Sequence, residues 1–192
     1  MTTRAPGRPR NPAADRAILE ATLQLLDERG YSNLALTEVA ERAGVSTATL
    51  YRRWSSKVPL VLAAMQATLF PISLPDTGDT RQDLIVFLQE RIEATQRPLV
   101  SKVLPALAAE GAGNPAFVEQ FRQLQAPIRQ MAFKLFERGI ARGDLPTSLD
   151  HDLTLDLLLG PLVSRQLINV PRLDPALAPT IVDAVLYGVA RK

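Results

Sequence analysis

The chain has 192 residues, 46% of them apolar, which is enough for one sizeable core or two small domains and leaves disorder to the ends. It has no cysteine, which excludes disulfides, thiolate metal sites and cysteine nucleophiles and fits a reducing cytoplasm. The net charge is only +2, but residues 1–60 carry nine Lys/Arg against six Asp/Glu while the rest carry thirteen against fourteen, so positive charge collects at one end, as expected if only that end meets a polyanion.

Residues 1–11 read as a flexible basic arm, with arginines and prolines and no acid before Asn11. No apolar run follows the arginines, so this is not a signal peptide. Gly7-Arg8-Pro9-Arg10 resembles the core of an AT-hook, which would put Arg8 and Arg10 in the narrow minor groove of A·T-rich DNA. A basic tail drawn to phosphate without sequence preference explains the same residues. Asn11-Pro12 then starts a helix, an Asn cap followed by proline at the first helical position. Ile18, Ala21, Thr22, Leu25 and Leu26 make its apolar stripe and Gly30 closes it, so this helix serves as a buttress for the helices after Gly30.

Residues 35–54 spell a helix-turn-helix. In TEVAERAGVSTATLYRRWSSK, from Thr37 to Lys57, Val39, Ala40 and Ala43 share a face and Gly44 supplies the positive φ of a helix end. Ser46 caps a second short helix that keeps Leu50 and Trp54 inward. Thr47, Thr49, Tyr51, Arg52 and Arg53 are left outside, hydroxyls and cations with no carboxylate, which is the surface of a recognition helix. An ordinary corner of two helices with a solvated basic face fits the same pattern.

AGVSTATLYRRWSSK resembles the end of the DNA-binding domain of TetR-type (tetracycline-repressor-like) transcriptional regulators. The likeness extends upstream through ILEATLQLLDERGYSNLALTEVAERAGV and covers roughly residues 12–72. Trp54 stands where phenylalanine is commoner, a change that still packs. The resemblance implies a three-helix DNA-binding domain over 12–72 and an effector-binding and dimerisation domain over 73–192. It also implies a double-stranded DNA operator, a small apolar effector and a homodimer. Thr47, Thr49, Arg52 and Arg53 are then expected at base edges or nearby phosphates, and Thr37, Ser46, Tyr51 and Lys57 at phosphates.

Ser56 and Lys57 begin a fourth helix with Leu60, Val61, Ala64, Met65, Thr68 and Leu69 buried; Phe70-Pro71 ends it. Residues 58–75 carry no charge, but their prolines leave about eleven residues of continuous helix, too short to span a bilayer. After a loop over 75–80, Thr80-x-x-Asp83 resembles a capping box opening a helix to Gln96. A further helix runs from Pro98 to Glu110. Asn114-Pro115 starts a long one in which Pro127 is expected to bring a kink or a break near Gln125 and that ends at Gly139 to Gly143. Asp150 caps the next, which Gly160-Pro161 should bend, and the last runs from about Pro175 to Tyr187. No segment alternates as a strand does, so the chain reads as all-α.

The last two helices are apolar over wide arcs. Leu153, Leu157, Leu162, Ile181 and Val185 are candidates for a four-helix interface across a two-fold axis, although the monomer's own core could take them. Met65, Phe87, Phe117, Phe121, Leu124 and Met131 are candidates for the effector pocket the resemblance implies, although any helical core uses such residues. The lone histidine, His151, with Asp152 and Asp156, is a poor metal site and is explained by a capped helix N-terminus. No cofactor or catalytic site is expected. The reading is a ligand-responsive DNA-binding regulator, most simply a repressor; the alternative is a helical small-molecule binding module with no role on DNA.

Overall fold

A computed structural model describes residues 12–69, 73–111, 113–167 and 173–189, with the backbone alone for residues 67–69 and 167. The described residues are helical and contain no strand. The head is α1 (Pro12–Arg29), α2 (Leu36–Arg42), α3 (Thr47–Tyr51) and α4 (Lys57–Leu69). The body is α5 (Thr80–Gln96), α6 (Pro98–Gly111), α7 (Pro115–Arg142), α8 (His151–Leu167) and, after a 3-10 turn, α9 (Ala178–Tyr187). Arg8, Arg10, Phe70 and Ile168, and the side chains of Thr68 and Leu69, lie outside the described residues.

Two hydrophobic cores hold these helices. Ile18, Leu25 and Leu26 of α1, Val39 and Ala40 of α2, Leu50 of α3 and Leu60, Val61 and Met65 of α4 bury together. Thr22 lies in that core because its hydroxyl donates to the Ile18 carbonyl at 2.7 Å, which leaves the buried oxygen paired. The same cluster takes in Val100, Val103 and Leu107 from α6 and Phe117 and Leu124 from α7. The head's core therefore draws on residues far beyond the fourth helix. The second core joins α5, α7, α8 and α9 through Leu84, Phe87, Leu88, Ile92, Leu135, Phe136, Leu158 and Val182, among others.

Two helices run on through an internal proline, and one cap is displaced. Pro127 sits inside α7, yet the helix runs unbroken for 28 residues from Pro115 to Arg142. Proline in a helix interior costs about 3 kcal/mol, whereas each large apolar side chain buried recovers about 1.5–3 kcal/mol. Leu124, Ile128, Leu135 and Phe136 straddle the proline and are all buried, so packing wins. Likewise α8 continues through Gly160-Pro161. The capping box is displaced by one residue: Asp79, not Thr80, caps α5, its carboxylate accepting the Gln82 N–H at 2.7 Å.

Thr80 and Asp83 serve another purpose. Asp83 is fully buried and accepts the Thr77 N–H and hydroxyl, both at 2.7 Å, and Arg142 Nη2 at 3.1 Å. Thr80 donates to Asp144 at 2.6 Å and accepts from Arg142 at 3.0 Å. Gly139 leaves room for this: a Cβ there would lie 2.7 Å from both Leu145 and Thr80. The 77–83 turn is thereby latched to the end of α7.

Burial would raise the Asp83 pKa, but the two Thr77 hydrogen bonds and Arg142 outweigh it and hold the carboxyl below its ordinary 3.8. A depressed folded-state pKa stabilises above the unfolded value, and that stability is lost as pH falls through the folded value. Replacing Asp83 by Asn should cost about 1.5–3 kcal/mol at neutral pH. It should also flatten the loss of stability below about pH 4; urea denaturation across that range reads both.

Candidate nucleic-acid interface and effector cavity

Recognition geometry begins at Leu50. This side chain is wholly buried against α1 and α2, and it fixes the rotation of the five-residue α3 about its axis. Ser46 caps that helix as expected, its Oγ accepting the Thr49 N–H at 3.2 Å, while the two hydroxyls also bond to each other at 2.9 Å. Thr49 is consequently half-buried and engaged with the cap, whereas Thr47, Ala48, Tyr51 and Arg52 face solvent, Tyr51 at 49% exposure. Thr37 stands exposed in the first turn of α2, whose cap, Ala35, lends no side-chain bond.

Arg53 does not belong to the exposed set. Its side chain is only 16% exposed and is ion-paired with Asp15 of α1. It lies three residues after Leu50, and residues three apart share a helical face, so it turns inward with Leu50. Lys57 is also engaged: its ammonium lies 4.3 Å above the Tyr31 ring and donates to the Ser32 carbonyl at 3.3 Å. Two further ion pairs, Arg42–Glu28 at 2.5 Å and Arg29–Glu38 at 2.5 Å, hold α2 to α1. Sequence reasoning passed over Ala48, Ser55 and Ser56, all exposed beside this face. The hydroxyls preceding Lys57 were the available signal for the last two.

Tyr31 links head to body. Its hydroxyl donates to Glu110 near the end of α6 at 2.6 Å. Burial, then that hydrogen bond, push its pKa well above the ordinary value, so it remains a donor across the physiological range.

Between the two cores lies a cavity of about 210 Å³. Leu104 and Ala108 of α6 and Phe117, Phe121 and Ile128 of α7 form much of its wall. Arg91 and Thr95 of α5, Gln125 of α7 and the α8 face at Leu159, Leu162, Val163 and Gln166 complete it. Of the six candidate pocket residues, Phe117 and Phe121 line it, stacked with ring centroids 5.9 Å apart. Met65 and Leu124 are spent in the head's core, Phe87 in the body's core, and Met131 packs partly buried against the latter.

The interface candidates also divide. Leu153 and Leu157 are 56% and 54% exposed on one side of α8, while Leu162 faces the opposite way, 8% exposed, into the cavity wall. Ile181 and Val185 pack half-buried on the body's core. His151 lies against the rings of Phe133 and Phe136, with centroids 5.2 and 5.7 Å away, and Arg129 pairs with Asp152 and, at 3.7 Å, with Asp156. Among the described residues no group of three His, Asp or Glu side chains is placed to hold a metal ion, and no helix is long and apolar enough to cross a membrane.

Residues 18–64 match the family model for bacterial regulatory proteins of the tetR family, and residues 74–185 match the tetracyclin repressor-like C-terminal domain. The chain belongs to the TetR family. An uncharacterised HTH-type transcriptional regulator of Bacillus subtilis, YdeS, is 32% identical over 95% of this chain and 93% of its own length. The DNA-binding transcriptional repressor TetR of Mycobacteroides abscessus is 30% identical over 95% and 96%. The crystal structure of the TetR-family regulator SCO0332 superposes with a TM-score of 0.78 at 30% identity, covering 93% of this chain and 99% of that one. A TetR-family chain is a DNA-binding transcriptional regulator of helix-turn-helix type, not an enzyme.

Arg52 and Arg53 of this TetR-type head should separate cleanly in stability. Arg53→Ala removes the partner of Asp15 and should cost about 1–2 kcal/mol. Arg52→Ala, on the open face, should stay within about 0.5 kcal/mol of the parent. Chemical denaturation of the two variants distinguishes them.

Proposed function

We propose that this TetR-family regulator is a repressor that binds a palindromic operator as a homodimer and is released from it by a small molecule in the cavity. The observation that carries the DNA half of the reading is the exposed side of α3, where Thr47, Ala48, Tyr51 and Arg52 present hydroxyls, a methyl and a guanidinium with no carboxylate among them. Arg52 is the residue suited to a guanine edge, and Ala48 to a thymine methyl. Thr37, Ser46, Tyr51, Ser55 and Ser56 border phosphates, as does Lys57 once its bond to Ser32 yields. Thr49 and Arg53 hold the helix in place.

A single five-residue helix reads too little sequence for useful specificity, so two are needed at a separation of roughly 34–36 Å on successive major grooves. The exposed Leu153 and Leu157 of α8 support a two-fold pairing of bodies that supplies the second. The cavity supports effector control because its α6 and α7 walls also complete the head's core. A ligand that favours one placement of those walls favours one spacing of the heads.

Operator selection from random duplexes followed by fluorescence anisotropy tests the DNA reading. Affinity should fall with salt at a slope of about −0.9 in log K per neutralised phosphate. Arg52→Ala should cost about 1–3 kcal/mol and relax preference at one base position. Equal loss on every sequence would reduce Arg52 to a phosphate contact, and salt-independent binding would remove the DNA role altogether.

Leu157→Glu should convert the dimer to a monomer in sedimentation at micromolar concentration. It should weaken binding to a full palindrome while leaving half-site affinity unchanged. A variant that remains dimeric would move the pairing surface off α8.

A further inference from the structure

The cavity between the cores has a buried charge on its wall whose outer nitrogen makes no hydrogen bond among the described residues. Arg91 projects from α5 into the wall and is 3% exposed, and its Nη1 has no hydrogen-bond partner among the described residues. Gln166, on the α8 side of the same cavity, has a buried Nε2 that is likewise unpartnered. Two donors on a mainly apolar wall therefore have no hydrogen-bond partner among the described residues. Glu90 is the adjacent residue and offsets part of the charge, but neighbouring positions on a helix do not face each other: Glu90 Oε1 accepts from Ser73 Oγ at 2.7 Å, and its buried Oε2 makes no hydrogen bond to Arg91 Nη1.

An arginine remains protonated in a protein. Burial, then the nearby Arg97, lower its pKa to about 10, partly offset by Glu90. The guanidinium is thus charged at neutral pH, and a buried charge without a partner is costly unless something completes it.

We propose that the cavity binds a small monocarboxylic acid, its carboxylate paired with Arg91 and its apolar body against Phe117 and Phe121. This rests on the effector role proposed for the cavity and adds the chemical class. A planar guanidinium forks onto a carboxylate with two parallel hydrogen bonds, and Gln166 Nε2 is a further donor on the same wall. A phosphate monoester brings a charge of about −1.5 to −2, more than one arginine balances in an apolar space close to Glu90.

Size narrows the class. An apolar cavity of about 150 Å³ holds benzene, so 210 Å³ takes one ring bearing a carboxylate, or an aliphatic acid of about six carbons. That is about eight or nine non-hydrogen atoms on the same scale.

Calorimetric titration of the full chain without DNA tests the assignment, using benzoate and hexanoate, their primary amides, and phenyl phosphate. The acids should bind at least tenfold more tightly than the amides and than phenyl phosphate. Arg91→Met should abolish that preference, Arg91→Lys should keep part of it, and Gln166→Leu should weaken the acids severalfold.

In the absence of ligand, Arg91→Met should melt at or above the parent temperature, because it removes a buried charge that is only partly offset. An arginine serving only structure would lower it. Equal affinity for acids and amides, no binding of either acid at millimolar concentration, or a preference that survives Arg91→Met overturns the proposal. Release of the operator is read separately: acids that bind with the Arg91 dependence but leave the DNA complex intact uphold the ligand class and remove the effector role.

Discussion

Phe117 sets the constraint on which the rest of the molecule depends. It packs into the core of the DNA-reading head and at the same time forms a wall of the cavity, with Phe121 stacked on it. Gly111 opposes it so closely that a Cβ would overlap its ring. The first turns of α7 and the end of α6 are thus fixed by the head from one side and bounded by empty space on the other. Protein interiors are dense and resist gradual deformation. Filling that space therefore acts on the surfaces against which α1 and α4 are seated.

The polar contacts reinforce the same junction. Glu110, at the end of α6, holds the Tyr31 hydroxyl, and the Tyr31 ring carries the Lys57 ammonium at the start of α4. One aromatic residue thereby touches the corner between α1 and α2, the helix that joins head to body, and the helix that borders the cavity. At the other end of the body, the buried Asp83 and Arg142 latch the 77–83 turn to the end of α7. The frame is anchored at that end by hydrogen bonds and ion pairs, whereas the seam holds the cavity.

Much of this was legible in the residues themselves. The stripe of α1, the Ser46 cap and the inward Leu50 come from local pattern, because each depends on helical spacing and a single hydrogen bond. The displaced cap at Asp79 was not legible, because Thr80 and Asp83 are drawn into contacts with Arg142 and Asp144, about sixty residues away in the chain. The continuity of α7 through Pro127 depends on burial that no local rule contains. The cavity was read only in part: large apolar residues announce a core, but which of them border empty space is decided by how four helices meet. A sharper signal was present and passed over, a charged residue, Arg91, standing at i+3 from Leu88 within the apolar stripe of α5.

Helical phase explains the corrected assignments together. A side chain's role is set by its angular distance from the residue that anchors its helix, and successive residues differ by about 100°. Leu50 is the anchor of α3, so Arg53 turns inward to Asp15 and Arg52 points away, although the two are chemically identical. In α8, Leu155, Leu158 and Leu162 share the buried side, which leaves Leu153 and Leu157 outside, although all five are leucines. In α5, Glu90 reaches Ser73 while Arg91 borders the cavity. Composition supplies the cations and the apolar bulk, and the register of each helix against its core decides which of them can meet DNA, a second subunit or a ligand.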